Sequence, residues 1–167
     1  MTDEEIMKHA IIQAKKALDL GEVPIGAVIA LNGQIIAAGY NSVITNCDPT
    51  AHAEIQAIRH AGKNLSNYRL TEAELFVTVE PCVMCAGALI HSRIKRLVFG
   101  ASEQRTGGIN SVYRILQDGL LNHTTLITSG VLEDECRQLM QDFFRKRREE
   151  QKLAKAALKQ NYERKNG

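Results

Sequence analysis

Two short apolar runs, "ELFVTVE" and "RLVFG", constrain this chain more than any other part of it. Their apolar residues fall on consecutive positions, as in a strand covered on both faces. Between them Pro81 opens a helical stretch through Cys82, Cys85, Ala86, Leu89 and Ile90, and a strand, helix and strand in that order imply parallel pairing. Upstream, "VPIGAVIAL" and "QIIAAGY" flank Asn32-Gly33, the strongest short-range signal for a tight hairpin. Before that hairpin, Thr2 and Glu5 stand at capping-box spacing, and Met7, Ala10, Ile11, Ala14, Ala17 and Leu18 share one helical face closed by Gly21. Asp48-Pro49-Thr50 reads as the start of a helix from Ala51 to Ala61, ended by Gly62. A shorter helix around Val112 to Leu116 and a strand at "TTLITSG" follow. From Leu132 a long helix carries Cys136, Leu139, Met140 and Phe143 on its buried stripe. The pattern predicts a three-layer α/β/α domain, its mixed five-stranded sheet starting as an antiparallel hairpin, continuing into parallel strands and flanked by helices.

At 167 residues the chain is long enough for one real core and too short for two independent ones. Residues 1–150 form that domain, and 151–167 form a basic helical extension whose last dozen positions have few apolar anchors and are expected to fray. The acidic, amphipathic start is not a secretory leader, and no run reaches the roughly 18 apolar residues of a membrane span. A cytoplasmic location without membrane association follows as the expectation. In that reducing compartment a close cysteine pair serves metal binding or catalysis more often than a disulfide. The net charge of +2 conceals an asymmetry: from Arg137 to Gly167 there are ten Lys or Arg against four Asp or Glu. Such a tail is compatible with a polyanionic partner, and equally with a solvated helix face.

"EPCVMC" places Cys82 and Cys85 on one face at a helix start. Alone, it fits a redox dithiol, a corner of a structural zinc site with Cys47 as the nearest further cysteine, or part of a catalytic centre. A second element has the same setting: "HAE", with His52 thirty residues before Cys82. One imidazole and two thiolates suit zinc, and three protein ligands leave a fourth position for water. Glu54, two residues beyond His52, stands where a carboxylate can move a proton without being a ligand. Cys136 belongs to the core stripe, and His9, His60, His91 and His123 have no comparable setting.

These motifs resemble the cytidine and deoxycytidylate deaminase superfamily, whose signature pairs HxE with PCxxC. The longer stretches "DPTAHAEIQAIR", "TVEPCVMCAGALIHSRI" and "VFGA" resemble its bacterial tRNA adenosine deaminase branch, over about Ile6 to Arg148. The resemblance implies a cytidine-deaminase-like fold and a hydrolase converting adenosine to inosine at the wobble position of tRNA. It implies one Zn2+ per subunit on His52, Cys82 and Cys85, with Glu54 as proton shuttle. It also implies that Asn41 hydrogen-bonds the flipped nucleotide, and that Glu103 and Arg105 border the RNA channel. Glu103 is a departure, since aspartate is common there. Phe144, Arg145, Arg147 and Arg148 correspond to the region that binds the anticodon stem-loop, and the family forms homodimers. The metal motifs alone leave open a free base or nucleotide, such as guanine or deoxycytidylate, as substrate, and a non-enzymatic zinc module that binds RNA.

Overall fold

The computed structural model describes every residue of the chain except Asp118 and Leu120. In chain order the elements are α1 (Asp3–Asp19), β1 (Gly26–Leu31), β2 (Gln34–Tyr40), α2 (Ala53–Leu65), β3 (Glu74–Val79), α3 (Val83–Ser92), β4 (Arg96–Ala101), β5 (Leu126–Ser129) and α4 (Glu133–Asn166). One five-stranded sheet has the order β2-β1-β3-β4-β5. β1 pairs antiparallel with both β2 and β3, whereas β3, β4 and β5 run parallel. This is the mixed sheet expected from the sequence.

The continuous apolar runs serve two cores. Ala27, Ile29, Leu75, Val77, Leu97 and Phe99 face α2 and α3, packing with Ala53, Ala57, Ala86 and Leu89. The intervening Val28, Ala30, Phe76 and Val98 face the opposite way, against Ile6, Met7, Ala10 and Ile11 of α1 and Cys136 of α4. Alternate residues of each strand thus enter different layers, which is why none of the three central strands alternates in polarity. At Gly39, on β2, an added Cβ would lie 2.5 Å from Ala53 O and 2.6 Å from Ala57 N. Only glycine lets α2 approach the sheet so closely.

Local signals held where backbone chemistry was explicit. Asn32 and Gly33 both have positive φ, 51° and 75°, as a two-residue hairpin turn requires. Thr2 Oγ1 accepts from Glu5 N–H (3.2 Å) while Glu5 Oε2 accepts from Thr2 N–H (2.7 Å). Two boundaries and one element differ. α2 begins at Ala53, because Asp48 Oδ1 accepts from Thr50 N–H (2.8 Å) and Thr50 Oγ1–H (2.7 Å), closing a local turn before any helix starts. The same helix continues past Gly62 and closes at Ser66, whose φ is 49°. No helix forms at 112–116: the N–H groups of Val112 and Tyr113 both donate to Gly107 O (3.1 Å each), wrapping the chain around one carbonyl. α4 runs unbroken through residue 150 to Asn166, and every residue from 148 onward is exposed.

Arg96 ties the sheet to the start of α1. Its two terminal nitrogens donate to both carboxylate oxygens of Asp3 (2.7 and 2.9 Å), and its Nε donates to Glu74. The hydrogen bonds from Arg96 hold the Asp3 carboxyl below its ordinary value of 3.8. A depressed carboxylate contributes stability that is complete above the unfolded-state value and is lost as pH falls through the folded one. Thermal melts of Asp3→Asn are therefore expected to show a shallower loss of stability below about pH 4 than the parent chain.

Candidate active site

His52 and Cys82 are the N-cap residues of α2 and α3, with extended backbones (φ/ψ −73°/154° and −74°/178°) and no capping hydrogen bond from their side chains. Capping would favour Ser, Thr, Asp or Asn at both places. Here the side chains turn toward each other. His52 Nδ1 lies 3.6 Å from Cys82 Sγ and 3.6 Å from Cys85 Sγ, and the three possible ligand atoms fall within 4.8 Å of one another. Bonds of about 2.3 Å to sulfur and about 2.0–2.1 Å to nitrogen around a tetrahedral ion put N and S roughly 3.6 Å apart. The donor set and its spacing therefore fit zinc, with Nδ1 as the imidazole donor.

Cys47 does not join this group. It is exposed, on a loop, and its thiol points to Ile44 O at 3.7 Å. All four cysteines are free. Cys82, half-buried, is pushed down to about 4, first by its hydrogen bond with Cys85, with His52 helping against burial. The Cys82 contact and burial drive the Cys85 thiol upward. His52 is raised from 6.5, chiefly by the Cys82 hydrogen bond, with the Glu54 charge adding to it.

Glu54 occupies the first turn of α2 with only 3% of its surface exposed. Burial raises its carboxyl to about 7, overcoming the opposing pull of its own amide and of His52. A carboxyl balanced near neutrality both takes and gives protons at working pH. Asn41, at the end of β2, is also buried. Its neighbour Ser42 donates N–H to Ala51 O (2.9 Å), which brings Asn41 and His52 to the same loop neck.

The residues assigned to RNA divide. Glu103, Arg105, Phe144 and Arg148 line one cleft of about 370 Å³ between the end of β4 and α4. Glu103 Oε1 also accepts from Arg105 N–H (2.9 Å), shaping the loop. Arg145 pairs with Asp142 at 3.1 Å. Arg147 points elsewhere, donating to Gly21 O (3.1 Å) at the end of α1 and lying 4.9 Å from the Phe143 ring centroid. Sequence reasoning missed Arg137 and Gln141 in the cleft. They precede Phe144 by seven and three residues, spacings that share its helical face. It also missed Glu80, which is buried and accepts from Ser111 Oγ–H (2.7 Å) and Ser111 N–H (3.3 Å), anchoring the 107–113 segment beside the cysteine helix.

The sequence pattern of the MafB19-like deaminases matches residues 1–148, which contain all of these groups except the tail. The chain belongs to that deaminase family. A tRNA-specific adenosine deaminase of Haemophilus influenzae is 54% identical over 158 residues, 94% of this chain and 91% of that protein. One from Bacillus subtilis is 46% identical, covering 95% of this chain and 99% of the relative. Among solved structures, one from work on A-to-I editing by tRNA:A34 deaminases at the wobble position superposes with a TM-score of 0.79 at 40% identity, covering 81% of this chain and 98% of the other. A guanine deaminase from Nitrosomonas europaea shares the fold at a TM-score of 0.73 and 26% identity, over 84% and 83% of the two chains. Family membership thus fixes the fold and the deaminase chemistry, while the solved structures that share the fold come from deaminases of different bases.

Proposed function

We propose that this chain is a tRNA adenosine deaminase that converts adenosine to inosine at the wobble position of the anticodon. The observation carrying this reading is the convergence of His52 Nδ1 on both cysteine sulfurs at 3.6 Å, with the buried carboxyl of Glu54 two residues beyond His52 in the first turn of α2. High identity to tRNA-specific adenosine deaminases over nearly the whole chain supports the substrate class.

His52, Cys82 and Cys85 would hold one zinc ion per subunit. Zinc supplies a Lewis acid that makes water acidic enough to ionise near pH 7. Glu54 accepts the proton that the attacking water loses and gives it to N1 of the adenine ring. The same carboxyl then carries the second proton to the departing amino nitrogen, so that water and adenosine become inosine and ammonia. One group acts first as base and then as acid, so a carboxyl held near neutral pKa fits both halves. Asn41, with one donor and one acceptor side by side, would orient the base by its edge. Glu103, Arg105, Phe144 and Arg148 would receive the neighbouring nucleotides, with Phe144 offering a stacking face and the guanidinium groups meeting phosphates. Arg145 is the outer member of this set, and Arg147 contributes by fixing α4 to α1.

Running out of the cleft, Arg148, Lys152, Lys155 and Lys159 are spaced by four, three and four residues. At about 100° per residue they stay within roughly 60° of arc, on the side of α4 that Arg137, Gln141 and Phe144 present to the cleft. The extension would continue the phosphate track. Exposed Val83, Met84, Val112 and Tyr113, on or near α3, offer an apolar surface for a second copy, consistent with a homodimer. A tRNA substrate supports a cytoplasmic location, and no helix among the described residues is long and apolar enough to cross a membrane.

Zinc-loaded protein incubated with an adenosine-bearing anticodon stem-loop should yield inosine at the wobble base, read by sequencing. Inactivity on every such RNA, with turnover of free guanine, would overturn the reading. Replacing Lys152, Lys155 and Lys159 by glutamine should lower the slope of log affinity against log salt by about two to three. An unchanged slope would remove the extension from the RNA site.

A further inference from the structure

Ten residues, Ser42 to Ala51, separate the buried Asn41 from His52. They form a compact loop with its ends together, closed at the neck by Ser42 N–H to Ala51 O (2.9 Å) and inside by Asp48 N–H to Val43 O (3.0 Å). A side chain from outside the loop enters its crown. Glu22 Oε1 accepts from Ile44 N–H (2.9 Å), while Glu22 Oε2 accepts from Thr45 N–H (2.8 Å) and Thr45 Oγ1–H (2.9 Å). Glu22 is 1% exposed, and no ion pair to it exists among the described residues.

Burying a carboxylate without a cation is costly, so the three donors must offset its lost hydration. Burial alone would raise the Glu22 carboxyl, but the Ile44 and Thr45 hydrogen bonds outweigh it and hold the group below its ordinary value. Nothing in α1 or β1 requires this charge. The helix end is already complete: Gly21, at φ 76°, donates N–H to Leu18 O, and Glu22 N–H donates to Ala17 O, each at 3.0 Å. That closure makes the Glu22 backbone a fixed base from which its side chain reaches the loop.

We propose that Glu22 is a positioning residue for the substrate pocket, acting through the 42–51 loop on Asn41; the proposal rests on the deaminase reading above. The loop neck joins the residues next to Asn41 and His52. Outside the loop Asn41 is tied by one backbone bond, its N–H to Ile25 O (3.0 Å), whereas the His52 side chain is held by both cysteines and its backbone by α2, so loosening the crown falls mainly on Asn41. Three donors converge on one side chain, and only an acceptor-only group satisfies all of them. Glutamine would aim an NH2 group at one of them.

Glu22→Gln should therefore raise KM for the stem-loop, lowering kcat/KM by between about fivefold and about 100-fold, with kcat and zinc content nearly unchanged. Thr45→Val, which removes one of three hydrogen bonds and is the milder change, should lower kcat/KM about two- to tenfold. Amide hydrogen exchange at Ile44 and Thr45 should accelerate in Glu22→Gln. The decisive comparison is a cycle with Asn41→Ala. If Glu22 acts through Asn41, adding Glu22→Gln to Asn41→Ala changes KM by less than about twofold, although the two shifts in Tm still add. Two results would overturn the proposal: KM unchanged in both loop variants while Tm falls, or KM effects of Glu22→Gln and Asn41→Ala that simply multiply. A parent protein inert on RNA is a different outcome, and refutes the substrate reading instead.

Discussion

Glu54→Gln is expected to abolish deamination while leaving the protein folded and zinc-loaded. The substitution keeps the size of the side chain and removes the carboxyl assigned to carry a proton between water and base. Positioned acid–base groups contribute about 10²- to 10⁴-fold, and Glu54 serves in two successive transfers, so a loss at the upper end of that range follows. Glu54 is no ligand: the atoms that converge are His52 Nδ1 and the sulfurs of Cys82 and Cys85. Metal content by elemental analysis should stay near one per chain, and Tm should not fall. A glutamine variant retaining a tenth of parental turnover would remove Glu54 from the proton path.

Cys85→Ala is the complementary case, expected to lose metal, activity and stability together. Cys85 is fully buried at 0% exposure and lies on the inner face of α3, so its loss leaves a two-ligand site. A metal that binds only the folded chain stabilises it by about 4 kcal/mol when free metal stands near 1,000 times its Kd. Removing the ligand forfeits most of that, and alanine adds a small cavity beside Leu89 and Ala86. Adding zinc should raise the Tm of the parent and not that of the variant. Should the variant bind zinc stoichiometrically with parental affinity, the three-ligand assignment would fail. Paired with Glu54→Gln, the experiment separates holding the metal from moving the proton.

What could be read beforehand depended on how local the deciding interactions are. The apolar runs at Leu75–Val79 and Leu97–Phe99 declared doubly covered strands because both neighbouring layers leave their mark on consecutive residues. The motifs at His52 and Cys82 were legible because each sits at a helix start with a ligand spacing that few other uses require. Residues 112–116 were misread, since Ile115 and Leu116 do pack into the core, yet the backbone wraps Gly107 O instead of coiling. Periodicity cannot distinguish those two ways of burying the same side chains. Glu22 and Glu80 escaped notice for another reason. Each is a lone acid next to an apolar strand, and its partners, Thr45 and Ser111, lie 23 and 31 residues away. Arg147 shows the converse: a basic residue in a basic run whose guanidinium is used inside the molecule, on Gly21 O.

The solvated end of α4 matters to anyone attaching something to this protein. From residue 149 to Asn166 the helix would span about 27 Å at 1.5 Å per residue, so a fluorophore or fused domain placed after Gly167 would ride at the end of a rod, past the lysines assigned to the phosphate track. At the start of α1 the residues are already engaged: Thr2 caps the helix, and Asp3 is clasped by Arg96. Cargo joined there would press directly on the globular body.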